Sequence, residues 1–181
     1  MGALLFLLLT SAHAGNVHEP EISVRISGQK IEVRSSVMLP MSPCKAYAML
    51  TDYDRLPEFI PGLAESRAQP VSRNEVEVFQ VGEVPVFIFH VRMESLLDME
   101  ATPNRKVVFR QVRGDFASFE GEWDFSGLEG GALVSYKAEM SFKPYVPLVL
   151  AQSILDEDLK EKFEAISREA ASHGDAFQCA G

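Results

Sequence analysis

The sequence predicts an α+β domain: a curved antiparallel sheet of about six or seven strands wrapped around one long C-terminal helix, with two short helices after the first strand. Two patterns lead there. Between Glu65 and Phe142 the chain alternates with period two, charged residues on one side and apolar residues on the other, in strand after strand. From about Leu148 to Ser172 the spacing changes to three and four, placing Leu155, Leu159, Phe163, Ile166 and Ala170 on one stripe.

At the N-terminus, Ala3 to Leu9 form a short apolar run, and Ala12-His13-Ala14 ahead of Gly15 fits a small-residue cleavage site. A signal peptide over residues 1–14 is therefore expected, and with it export to the periplasm or the medium. The run is far below the ~20 apolar residues of a spanning helix, and no other stretch is longer, so no stable membrane span is expected in the mature chain. Residues 15–29 read as a lead-in strand or hairpin, because Ile22, Val24 and Ile26 share a face and Ser27-Gly28-Gln29 makes a turn.

Residues 30–172 hold the main domain. Its first strand alternates through Ile31, Val33, Ser35 and Val37. Ser42-Pro43 then reads as N-cap and first helical residue, since proline's missing N–H is unpaired there in any case. That helix ends near Asp52. Pro57 and Pro61 limit the next stretch to short helical turns closed by Pro61-Gly62. The strands follow, with Glu75, Glu77, His90, Arg92, Glu94, Lys106, Arg110, Glu120, Glu122, Asp124, Lys137 and Glu139 marking the wet face. Their neighbours, including Phe87, Phe89, Val91, Phe109, Phe119, Trp123, Tyr136 and Met140, mark the covered face. The C-terminal helix turns Asp156, Glu157, Lys160, Glu161, Glu164 and Arg168 to solvent. Residues 173–181 are expected to be a flexible tail.

With 181 residues, 46% of them hydrophobic and 24% charged, the chain is long enough for one sizeable core. A formal charge of -9 argues against a nucleic-acid partner, which needs a basic face to neutralise phosphates. The sequence singles out no protein partner. Cys44 and Cys179 are the two cysteines. In an oxidising compartment they can tie the tail to the first helix; otherwise they are two unrelated thiols.

The order of a strand, two small helices, an antiparallel run and a long terminal helix resembles the START-like helix-grip superfamily (SRPBCC), which includes polyketide cyclase/dehydrase-like proteins. Asp52-Tyr53-Asp54-Arg55-Leu56-Pro57-Glu58-Phe59-Ile60-Pro61 looks most like the corresponding segment of the coenzyme Q-binding START branch. This likeness implies an internal cavity for a lipid-like, isoprenoid or aromatic molecule.

For catalysis the sequence offers little. His13, His18 and His173 lie near the ends and His90 has outer-face parity. No nucleophile–histidine arrangement, Gly-rich phosphate loop or metal-ligand spacing is visible, so neither a cofactor nor a metal is expected. Asp52, Asp54 and Glu58 admit two readings, as general acids at a pocket mouth or as capping and turn residues.

The candidate cavity lining is Phe59, Phe87, Phe89, Phe109, Gln111, Phe116, Phe119, Trp123, Tyr136, Met140, Leu159 and Phe163, with Gln111 and Tyr136 as polar anchors. The expected function is binding or transport of a hydrophobic small molecule. Two alternatives are a cyclase- or dehydratase-like enzyme and a partner-binding module using the acidic face or Pro144 to Leu150.

Overall fold

The computed structural model describes residues 19–86, 89–142 and 151–179, with side-chain surroundings given outside 84–90 and 151–154. The leader expected over 1–14, the Pro144 to Leu150 segment and Phe87 lie outside the described residues. Phe89 is described by its backbone alone.

In chain order the elements are β1 (Glu21–Ser27), β2 (Lys30–Leu39), α1 (Pro43–Thr51), a 3-10 helix (Tyr53–Glu58), β3 (Leu63–Pro70), β4 (Glu75–Val86), β5 (Phe89–Thr102), β6 (Lys106–Gly114), β7 (Ser118–Leu128), β8 (Gly131–Ser141) and α2 (Ala151–His173). The strands form one eight-stranded antiparallel sheet in the order β1-β2-β8-β7-β6-β5-β4-β3. The count exceeds the six or seven expected because the lead-in segment is a full strand. Gly28, at φ 61, closes a tight turn that pairs Glu21 to Ser27 with Ser36 to Lys30.

Residues directly opposite in neighbouring strands share a face, so the register traces rows across the sheet. One inner row runs Val76, Met99, Phe109, Gly121, Ala138, Val33, Val24. Its middle is small for a reason. A Cβ on Gly121 would stand 2.6 Å from the Phe109 ring and 2.3 Å from the Lys137 carbonyl, so the glycine makes room for the aromatic ring beside it.

Onto this face α2 presses Phe163, Ile166 and Ala170, all buried, and it packs chiefly against β1 and β2. Ser167 is buried too, its hydroxyl donating to the Phe163 carbonyl one turn back. α1 covers the ends of β7 and β8, where the Tyr47 and Phe125 rings meet edge to face with centroids 5.5 Å apart.

One expectation is corrected. Val91 has inner-face parity but is 44% exposed, because at this end β5 pairs only with β4 and its pairing with β6 begins at Ser95. The chain after α2 makes tertiary contacts up to Cys179. Phe177 is buried in the core, the Arg55 guanidinium lies 5.6 Å above its ring, and Lys45 reaches Asp175 at 2.9 Å. A disulfide joins Cys179 to Cys44 with the Cα atoms 5.1 Å apart.

Candidate functional site

The register separates charge completely within the strands. Every Lys, Arg, Asp and Glu of β1–β8 falls on the outer face, the side opposite the buried rows. There they lace the strands together: Lys106 contacts Glu122 at 2.9 Å and Asp124 at 3.3 Å, Lys137 contacts Glu122 at 3.1 Å, and Lys30 contacts Glu139 at 2.7 Å. Hydrogen bonds from Lys106 and Lys137 hold the Glu122 carboxyl below its ordinary range.

The inner face is aromatic instead. Starting from β8, the Tyr136 ring contacts Trp123 (centroids 4.4 Å apart) and stacks on Phe109 at 6.1 Å. Phe109 meets Phe119 at 5.0 Å, Phe119 meets Phe116 at 5.1 Å, and Phe116 meets Phe142 at 5.3 Å. From the helix, Phe163 reaches Trp123 at 5.8 Å and Tyr136 at 6.1 Å. The result is an unbroken aromatic track across β6, β7 and β8, touched by α2.

This track is walled but not sealed. Phe109, Met140 and Phe163 are buried, whereas Phe116, Phe119, Trp123, Tyr136 and Leu159 keep part of their surface although they belong to the inner packing. Burial pushes the Tyr136 phenol well above its ordinary range, so it keeps its proton and has an O–H free to donate. Among the described residues, no group is hydrogen-bonded to its hydroxyl.

Of the expected lining residues, the structure thus brings together Phe109, Phe116, Phe119, Trp123, Tyr136, Met140 and Phe163, with Leu159 beside them. Phe59 stands apart. It caps the 3-10 helix, its N–H bonded to the Leu56 carbonyl, and is partly buried against the core. Gln111 does face inward, with both ends of its amide engaged: Oε1 accepts from Ser95 Oγ at 3.1 Å and Nε2 donates to the Phe116 carbonyl at 3.1 Å.

Ser35, Ser66, Gln80 and Ser95 were not foreseen. Ser66, Gln80 and Ser95 are directly opposed on β3, β4 and β5, on the same face as Val78 and Leu97. Gln80 Nε2 donates to Ser66 Oγ at 3.3 Å; on β6 Gly114 stands opposite Ser95, and Gln111, opposite Leu97, joins the row through its bond from the Ser95 hydroxyl. Ser35 sits opposite Tyr136, its hydroxyl buried and without a partner among the described residues.

The acidic residues of the segment after α1 take turn and pairing roles. Asp54 Oδ1 accepts the Ala68 N–H at 2.8 Å, while Arg55 bridges Asp52 at 3.5 Å and Glu58 at 3.3 Å. Two open surface grooves lie elsewhere. One, of about 420 Å³, runs between β1 and α2 past Ile22, Val24 and Lys160; the other, of about 440 Å³, crosses the outer charge lattice. Neither contains the aromatic track. Among the described residues, no group of His, Cys, Asp and Glu is arranged to hold a metal ion, and no helix is long and apolar enough to cross a membrane.

Beyond the geometry, a sequence model described as "Polyketide cyclase / dehydrase and lipid transport" matches residues 39–164, more than half of the chain. The chain belongs to that family. No curated protein sequence matches it. Solved structures share the fold. A STAR-related lipid transfer protein (fragment 25–204) from Xanthomonas axonopodis is similar with a TM-score of 0.71 at 16% identity, over 87% of this chain and 96% of that one. The Zhui aromatase/cyclase from a Streptomyces species gives 0.65 at 13% identity, over 78% and 93%. A START superfamily protein from Mycobacterium smegmatis gives 0.62 at 14% identity, over 77% and 96%. Family and neighbours together fit a START/polyketide cyclase-like ligand-binding fold, with lipid-transfer and cyclase proteins on the same scaffold.

Proposed function

We propose that this protein is a carrier or sensor that binds a hydrophobic small molecule against the aromatic track, between the sheet and α2. The observation that carries the reading is the partly open state of Trp123, Tyr136, Phe119 and Phe116 on a face where Phe109, Phe125, Val134 and Ala138 beside them are closed. Packed aromatics with residual surface inside a grip of sheet and helix offer large apolar contact to a ligand, with Tyr136 as a donor.

Binding is favoured over catalysis by the same wall. Of the described inner-face strand residues, Tyr136 alone titrates, and its raised pKa suits it to donate a hydrogen bond rather than to take a proton. Export is part of the proposal: the Cys44–Cys179 bridge suits an oxidising compartment, in keeping with the apolar leader.

Trp123 is the single tryptophan and belongs to the track, so its emission reports on the site alone. Protein expressed with its own leader is examined by native mass spectrometry for an added lipid mass. Its emission is then titrated with fatty acids, fatty alcohols, isoprenoids and the isoprenoid quinones that the Asp52–Pro61 resemblance implies. A bare apo mass together with unresponsive Trp123 emission sinks the reading.

A further inference from the structure

The inner face carries a second feature beside the aromatic track, and it bears on which hydrophobic molecule the site takes. Ser66, Gln80 and Ser95 form a neutral polar row across β3, β4 and β5, and Gln111 on β6, opposite Leu97, joins its end through the Ser95 hydroxyl. At Gln111, whose amide holds the Phe116 carbonyl, the row meets the end of the track. We propose that this row recognises an uncharged oxygen function, a hydroxyl or a carbonyl, on a ligand whose apolar body lies along the aromatic rings. The inference rests on the binding function proposed above and narrows its ligand to one class.

The two serines and the two amides have different parts. Ser66 and Ser95 are about 5% exposed, too enclosed for ligand contact, while Gln80 and Gln111 keep partial exposure. The serines therefore orient the amides. Gln80 spends one N–H on Ser66 and keeps a carbonyl oxygen without a partner among the described residues. Gln111 spends its carbonyl on Ser95 and one N–H on Phe116, keeping a second N–H. An acceptor and a donor thus remain on neighbouring parts of the wall, the complement of a hydroxyl or carbonyl.

Charge argues against an anionic head group. No strand contributes a lysine or arginine to this face. On α2, partly buried Lys162 lies beside Gly62 and is already paired with Asp158 one turn away. Among the described residues a carboxylate entering here meets no free cation to replace its lost water, whereas a neutral oxygen needs only the hydrogen bonds the amides still have to give.

The test uses the full chain, Trp123 emission, and two probes of equal chain length, 1-dodecanol and dodecanoate, at pH 8. The wild-type protein is expected to bind the alcohol at least about tenfold more tightly. In Gln80→Met, which keeps the length of the side chain, alcohol affinity falls about five- to tenfold, dodecanoate affinity holds, and the preference collapses. Gln111→Met gives the same reading at the other amide. If either variant loses its far-UV spectrum, Ser66→Ala, which removes the group orienting Gln80, replaces it.

Equal or tighter binding of dodecanoate overturns the inference and leaves the binding function standing. Folded Gln80 and Gln111 variants with wild-type preference overturn the assignment to this row. Failure of both probes, with an apo mass, removes the binding function itself and the inference with it.

Discussion

Phe109 and Val108 are consecutive residues of β6, yet one is 3% exposed and the other 43%. The same step repeats along the central strands, where a single peptide unit separates an aromatic interior from a lattice of paired charges. The two faces are stabilised by different physics. Inside, close packing makes each methylene count; outside, ion pairs in water contribute little individually and keep the face soluble and unavailable for apolar docking.

The sharpest way to break this contrast is to truncate both neighbours. Phe109→Ala should lower the unfolding free energy by about 3 to 5 kcal/mol, and Val108→Ala by less than about 1 kcal/mol, measured by urea denaturation. Comparable losses at the two sites would mean that the outer face is covered as well. A smaller effect comes from adding a single carbon. Gly121→Ala pushes a methyl against the Phe109 ring and the Lys137 carbonyl, and should cost about 1 to 3 kcal/mol while shifting Trp123 emission, whereas Glu120→Ala beside it should do neither.

Acidity and salt separate the faces more gently. The phenols of Tyr136 and Tyr53 are desolvated and their pKa values raised above the ordinary 10.0, so above that pH the unfolded chain releases protons that the folded one retains. Stability is therefore full below about pH 10 and falls as pH rises further, and Tyr136→Phe should flatten that decline. Glu122 on the outer face has the opposite sign. Its carboxyl is held below 4.5, so its contribution is present above that pH and is lost as pH falls past it. Because Glu122 is screened by solvent, Glu122→Gln should cost under about 1 kcal/mol and lose even that at high salt.

Much of this architecture was legible because charge and apolarity alternate so cleanly. Glu120, Glu122 and Asp124 against Phe119, Trp123 and Phe125 fix the face of β7 without further information, and Leu159, Phe163 and Ile166 fix that of α2. The polar row was legible only in part. Alternation against Glu77 and Glu94 gives Gln80 and Ser95 the same inner parity as Gln111, but parity does not say which polar residues meet, and the register that sets Ser66 opposite Gln80 and Gln80 opposite Ser95 does. The role of Phe177 was hidden for a different reason. A single large apolar side chain among the last nine residues carries no period, and only tertiary contact shows that Phe177 fills the core. The two open readings of Asp54 needed the strand beside it, since its acceptor role depends on the Ala68 N–H.

The bond between Cys44 and Cys179, 135 residues apart, also closes a covalent ring. Everything from α1 to α2 lies inside it, while β1 and β2 hang outside. Their hairpin joins the ring by pairing with the β8 edge and by packing under α2. A protease cut in any loop of the ring leaves two pieces that migrate as one until the bridge is reduced, whereas a cut at the Gly28 turn frees β1 in denaturant alone.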